Sequence, residues 1–270
     1  MKRLIKDRQQ FLIYAGIQVS ESGDINFTWN RDSTQDVVHL ANDTSGEFSK
    51  DGLRIVYGYK FSDSATSAQK KLVRDYLKQV NLSDELYSEN IQEFVDNAVL
   101  RLDERYPLEQ FEATVFIQST TGSSLVDLMR ESIWTYRKNL NFDFQLVKAM
   151  YQHVKFNSEK AYQALIDSGM DKLQALHEVQ FTSEKFESLK QSGQLFQMKR
   201  FIPKEIRNGF YDFLQFASEE ERNVYASLQG VNVLIFDDFL TSGSTITEVN
   251  RYLHSINDKN QLTAFVLVKQ

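Results

Sequence analysis

The sequence predicts an α/β fold: a mostly parallel sheet with helices on both faces, an N-terminal β subdomain and a helical insertion. Three observations carry that expectation. Residues 230–256 run from an apolar strand through two acids and a small-residue turn into a helix. Residues 111–150 give strand, hydroxyl-rich loop, helix and strand again, a βαβ unit that implies a parallel pair and a right-handed crossover. Elsewhere, long segments place apolar residues every three or four positions, as helices do.

The stretch at 230–256 organises the rest. Val233 to Phe236 is an apolar run too short for a helix and suited to a strand buried on both faces. Asp237 and Asp238 follow, then Thr241-Ser242-Gly243-Ser244-Thr245. Ile246, Val249, Leu253 and Ile256 then recur at helical spacing. A turn entering a helix N-terminus offers free N–H groups and the positive end of the helix dipole, which suits a phosphate. Gly243 permits close approach and positive φ, and the hydroxyls add donors. Carboxylates at the strand end accept hydrogen bonds from ligand hydroxyls, so a sugar phosphate with a free cis-diol satisfies both halves. The turn has no lysine, which excludes a Walker A loop, and no Gly-x-Gly-x-x-Gly, which excludes the dinucleotide fingerprint. The plain alternative is a generic α/β turn whose acids cap the helix.

The run Val233-Leu-Ile-Phe-Asp-Asp-Phe-Leu-Thr-Ser-Gly-Ser-Thr245 closely resembles the phosphoribosyl pyrophosphate (PRPP) motif of the type I phosphoribosyltransferases. The resemblance implies that Asp237 and Asp238 hold the ribose 2′ and 3′ hydroxyls and that Thr241, Ser242, Gly243, Ser244 and Thr245 hold the 5′-phosphate. It makes Asp237, Asp238 and Thr241 the candidate catalytic residues. A response-regulator receiver domain also has an acidic pair after a strand, but near the domain's start. Here only one strand, Leu262 to Val268, remains.

Composition bounds the alternatives. The 270 residues suffice for one large domain or a domain with a substantial insertion, and 41% hydrophobic content can fill a core. A net charge of −6 without a basic block argues against general nucleic-acid binding. The absence of cysteine removes disulfides, thiol nucleophiles and cysteine–zinc sites. His39, His153, His177 and His254 lack ligand spacing and read as surface or capping residues. No apolar run approaches a membrane span of roughly 18 residues, and the start lacks a signal-peptide core, so the expectation is a soluble cytoplasmic protein.

Taken in order, residues 1–60 read as a β subdomain. Phe11–Val19, Ile25–Trp29, Val37–Leu40 and Leu53–Tyr59 are strand-like, separated by turns at 21–24, 42–46 and 51–52. The resemblance implies a hood over the base here; an ordinary subdomain is the alternative. Residues 61–270 form the α/β domain, opening with helices at Ser67–Val80 and Ser88–Arg105, with Ser83 and Ser88 as candidate N-caps.

Phe111–Ile117 is the first core strand, Leu125–Leu140 a helix and Phe142–Met150 the next strand. The loop Ser119, Thr120, Thr121, Gly122, Ser123 sits where the family's pyrophosphate loop sits, with a glycine and donors but no basic residue. It is a second anion site at a helix N-terminus or plain Ser/Thr capping.

Residues 155–228 exceed what a crossover needs. Ser158–Ser168, Lys172–Gln191, Phe210–Phe216 and Glu219–Leu228 read as helices, with cap signals at 157–159 and 182–185. The basic stretch 197–209 lies between them. The family's mobile loop often supplies a base to the pyrophosphate, which makes Lys199 and Arg200 candidates; a solvated basic patch is the alternative.

Lys269 resembles a base-contacting lysine of the 6-oxopurine salvage enzymes. Two departures weigh against that subclass: Thr241 stands where their motif has aspartate, and their hood continues past the last strand. A threonine is more like the orotate, adenine and competence-related members.

The implied activity is that of a pentosyltransferase. Mg²⁺–PRPP transfers or exchanges phosphoribose with a nitrogenous base and releases pyrophosphate, with Mg²⁺ carried mainly by the ligand. The alternative is a non-catalytic sensor or effector of the same fold that binds PRPP or a nucleoside 5′-monophosphate. A homo-oligomer or protein partner fits either reading.

Overall fold

The computed structural model describes residues 16–28, 36–40, 47–50, 52–78, 85–118, 125–136, 140–198 and 202–270. In chain order these form β1 (Gly16–Val19), β2 (Ile25–Thr28), β3 (Val38–Leu40), β4 (Glu47–Lys50), β5 (Leu53–Phe61), α1 (Ser67–Lys78), α2 (Glu85–Arg105), β6 (Ala113–Ile117), α3 (Leu125–Tyr136) and β7 (Phe142–Lys148). They continue with β8 (Lys155–Phe156), α4 (Ser158–Asp167), α5 (Lys172–Lys190), β9 (Phe210–Tyr211), β10 (Leu214–Phe216), α6 (Glu219–Ser227), β11 (Asn232–Leu240), α7 (Ser244–Ile256) and β12 (Gln261–Lys269). The fold is mixed α/β, and the chain separates into two compact units.

The first unit comprises residues 1–143, 232–240 and 262–270. Its strands lie in the order β6-β11-β12-β5-β3-β1-β2, with β4 on β5. The central pairings are parallel: β11 with β6, from Val233↔Ala113 to Phe236↔Phe116, and β12 with β5, from Thr263↔Arg54 to Lys269↔Lys60. β1, β2, β3 and β4 join by antiparallel pairings. The N-terminal strands therefore continue this sheet through β5. β6 is buried at every position and β11 at all but Asn232, as continuous apolar runs in a parallel sheet require. Phe236 stacks on Phe116 at 4.7 Å between centroids and meets Phe265 edge-on at 5.8 Å.

Helices secure this sheet by specific contacts. Tyr59 of β5 stacks on Phe94 of α2 at 3.8 Å, and its hydroxyl donates to the Phe94 carbonyl at 3.0 Å. Beside it Gly58 lets α2 come so close that a Cβ there would lie 2.7 Å from Ala98 Cβ. Arg130 of α3 pairs with Asp143, whose other oxygen accepts from Thr114 Oγ1 at 3.0 Å. α1 starts in a reciprocal capping box: Gln69 N donates to Thr66 Oγ1 at 3.2 Å, and Thr66 N donates to Gln69 Oε1 at 2.9 Å.

The second unit comprises residues 144–231 and 241–261. Asn157 caps α4 by accepting from Lys160 N, and Asp171 caps α5 by accepting from Leu173 N and Gln174 N. The segment 182–185 lies inside α5, with Thr182 buried, so it is not a cap. Phe186 sits in an aromatic cluster with Tyr151, Phe156, Phe196 and Phe210.

Phe210–Phe216, expected as a helix, instead forms β9 and β10. β9 pairs with β8, and β10 pairs antiparallel with β7 from Leu214↔Lys148 to Phe216↔Leu146. Leu214, Gln215 and Phe216 alternate buried, exposed, buried, which is a strand period, and Asp212 between the strands has φ 60°.

Tyr225 of α6 packs against Phe144 and Phe216. Burial pushes its hydroxyl up to about 12 from 10.0; Asn260 opposes the shift, although no hydrogen bond of good geometry joins the two. Asn257 Nδ2 donates to the Leu228 carbonyl at 2.5 Å, satisfying the chain just after α6.

Two outcomes follow from this packing. Gly58→Ala should cost about 1–3 kcal/mol in urea denaturation, because the added methyl overlaps Ala98. Tyr225→Phe should leave neutral-pH stability equal or higher, since the lost hydroxyl has no hydrogen-bond partner. For the sign with pH, the protonated tyrosine is favoured in the folded state. Its contribution is complete below pH 10.0 and is lost as pH rises toward about 12. Denaturation midpoints of Tyr225→Phe should therefore fall less steeply across that window, with slope remaining from Tyr59 and Tyr252, which burial also raises, and from Lys155, which its bond to Asp212 raises.

Candidate functional site

In the first unit the acidic pair lies inside β11, not after it. The strand continues through Phe239 and Leu240, whose carbonyl accepts from Gln270 N at 2.9 Å. Asp237 and Asp238 are only 8% and 7% exposed. Adjacent buried carboxylates repel and lose hydration, so each needs a partner. Asp237 Oδ1 accepts from the Asp238 backbone N–H at 3.0 Å. Asp238 Oδ2 lies 2.5 Å from Lys78 Nζ in an ion pair. Lys78 is the last residue of α1, where a cation suits the helix C-terminus, and its Nζ also stands 5.1 Å from the Phe239 ring centroid.

In the second unit Gly243 adopts φ 75°, the left-handed conformation, and stands at the N-cap of α7 without a side-chain cap bond. Ser242 Oγ and Ser244 Oγ are 2.7 Å apart, and Ser244 N donates to Ser242 Oγ at 3.4 Å. Thr241, Ser242 and Thr245 are half-buried; Gly243 and Ser244 are buried. The turn therefore presents hydroxyls and helix-start N–H groups around one glycine.

The helix is fixed by a charged network within its own unit. Glu248, 3% exposed, accepts from Phe213 N at 3.2 Å and from Arg251 Nε at 2.8 Å. Arg251 also bonds Asp212, which Lys155 Nζ reaches at 2.8 Å. Burial pushes the Asp212 carboxyl up, but Lys155 and Arg251 outweigh it and hold it below the usual value. Glu248 raises the Arg251 guanidinium above its ordinary range.

Lys269, at the end of β12 in the first unit, places Nζ 4.8 Å from the Tyr57 ring centroid. Ser119, Thr120, Thr121, Gly122, Ser123, Lys199 and Arg200 lie outside the described residues. Among the described residues no cluster of three or more His, Cys, Asp or Glu could hold a metal ion, and no helix is long and apolar enough to cross a membrane.

Sequence reasoning missed Lys78 and Glu248. Glu248 had a readable signal: it falls one turn after Ser244 and next to Val249, on the buried face of α7. Lys78 had only its place at a helix end; its pairing with a distant strand is a tertiary fact.

No family model matches the chain, and a search of curated proteins finds no match. Among solved structures, a hypoxanthine phosphoribosyltransferase from Staphylococcus aureus is similar over 74% of this chain and 71% of its own, at 13% identity and a TM-score of 0.34. A likeness at that level carries no weight for the chemistry.

Gly243→Ala should cost about 1–2 kcal/mol of stability, because the added Cβ is strained at φ 75°. Thermal melting checks this, and the far-ultraviolet circular dichroism should not change.

Proposed function

We propose that the segment Val233–Thr245 binds Mg²⁺–PRPP or a nucleoside 5′-monophosphate, and that the protein transfers phosphoribose to a nitrogenous base with release of pyrophosphate. One observation carries the reading: two nearly buried acids in β11 run, within five residues, into a left-handed glycine that opens α7. A structural strand has no need of two adjacent carboxylates, and a ligand with hydroxyls gives them a use.

In this reading Asp237 and Asp238 accept hydrogen bonds from the ribose 2′ and 3′ hydroxyls. Thr241, Ser242, Gly243, Ser244 and Thr245 hold the 5′-phosphate through hydroxyls and N–H groups. Ser119–Ser123, Lys199 and Arg200 would serve the pyrophosphate, and Lys269 the base.

A base nitrogen bonds to the anomeric carbon as the bond to pyrophosphate breaks; pyrophosphate leaves with the electron pair and the base gives up its proton. Charge spreads over an oxocarbenium-like ribose, so positioning and electrostatics supply most of the acceleration. The acids are oxygen donors that suit a hard cation, but Asp238 Oδ2 is already taken by Lys78, so Mg²⁺ would ride on the ligand's own oxygens. Bound there, it would supply charge to offset that of the pyrophosphate.

The second reading, a non-catalytic sensor, is favoured by one feature: the loop at 119–123 contains no basic residue. Pyrophosphate release across a panel of bases separates the two.

Asp237→Asn and Asp238→Asn should each weaken PRPP binding about tenfold to a hundredfold by calorimetry, since each loses charge and an acceptor. Asp237→Asn keeps an oxygen for the Asp238 amide, so its melting temperature should stay within about 3 °C of wild type. Asp238→Asn strands the Lys78 ammonium and should melt about 3–8 °C lower. Normal PRPP binding by both variants would sink the proposal.

A further inference from the structure

The acid pair brings two formal negative charges into adjacent buried positions of β11, and Lys78 pairs with Asp238. The ammonium has three donors. Among the described residues its contacts are Asp238 Oδ2 at 2.5 Å and the face of Phe239. The Lys78 side chain remains 20% exposed while its Nζ is held against Asp238. A lysine is a compact point charge on a flexible stem, suited to sharing between a carboxylate and a phosphate. The two other sources of positive charge foreseen from the sequence, Lys199 and Arg200, lie far from α1 along the chain.

We propose that Lys78 forms an anion subsite beside the acid pair: the ammonium that balances Asp238 also takes an anionic group carried on the same sugar that the acids hold. This rests on the phosphoribosyl reading and adds a specificity to it. A ribose phosphate bearing pyrophosphate gains the contact; a ribose phosphate without it does not. Lys78 is thus a specificity-determining residue, acting on the ligand's charge rather than on its hydroxyls.

Calorimetry with Mg²⁺–PRPP and with ribose 5-phosphate tests the subsite on wild type, Lys78→Met and Lys78→Arg. Lys78→Met should lose about tenfold or more in affinity for PRPP and less than about threefold for ribose 5-phosphate. Lys78→Arg, which keeps the charge, should retain most of the preference for PRPP.

Equal losses for both ligands would mean that Lys78 only supports Asp238, and unchanged PRPP binding would mean that it touches no anion; either result overturns the subsite. Should Lys78→Met fail to fold, acetylation of wild-type lysines read by mass spectrometry decides. PRPP should shield Lys78 and ribose 5-phosphate should not, and equal shielding overturns the proposal. Wild type that binds neither ligand overturns the phosphoribosyl reading itself, a result distinct from a loss confined to the variants.

Discussion

The ion pair between Lys78 and Asp238 is the constraint around which the first unit is built. β11 lies between β6 and β12 and is buried at every position but Asn232, so its side chains have no solvent to turn to. Aliphatic and aromatic residues answer that demand from Val233 to Phe236. Asp237 and Asp238 do not, and each would carry a large desolvation cost without compensation. A backbone N–H serves one and an ammonium serves the other. Two carboxylates thus stand side by side in β11, which is what a hydroxyl-bearing ligand requires and a purely structural strand does not.

The second unit meets the same problem with a balanced set. Glu248 and Asp212 are matched by Arg251 and Lys155, and the amide of Phe213 completes Glu248. Asp212 tolerates its left-handed backbone, and both cations hold its carboxylate. The network ties α7 to the chain between β9 and β10, so the start of α7 and its glycine are set on a fixed helix. Acids and cations alternate here around one helix, whereas β11 carries two carboxylates at adjacent positions, and that difference separates a structural cluster from a candidate site.

Much of this was legible in the sequence where local rules apply. The apolar run of β11, the positive-φ need at Gly243 and the amphipathic spacing of α7 all follow from periodicity and turn chemistry. The cap at Asn157 was readable for the same reason. Phe210–Phe216 was not, because aromatic residues at short spacing satisfy either period and only the partner strand, β7, decides. The segment 182–185 carried a cap signal that α5 overrides by burying Thr182.

The sequence by itself determined that a buried strand meets an acidic pair and passes through a flexible small-residue turn into a helix, because those properties belong to neighbouring residues. Tertiary structure alone decided that the strand swallows the acids, that β5 joins the parallel centre beside β12, and that Lys78 pairs with Asp238. Burial and ion pairing depend on which surfaces meet, and residues far apart in the chain carry no local mark of the partner that folding brings to them.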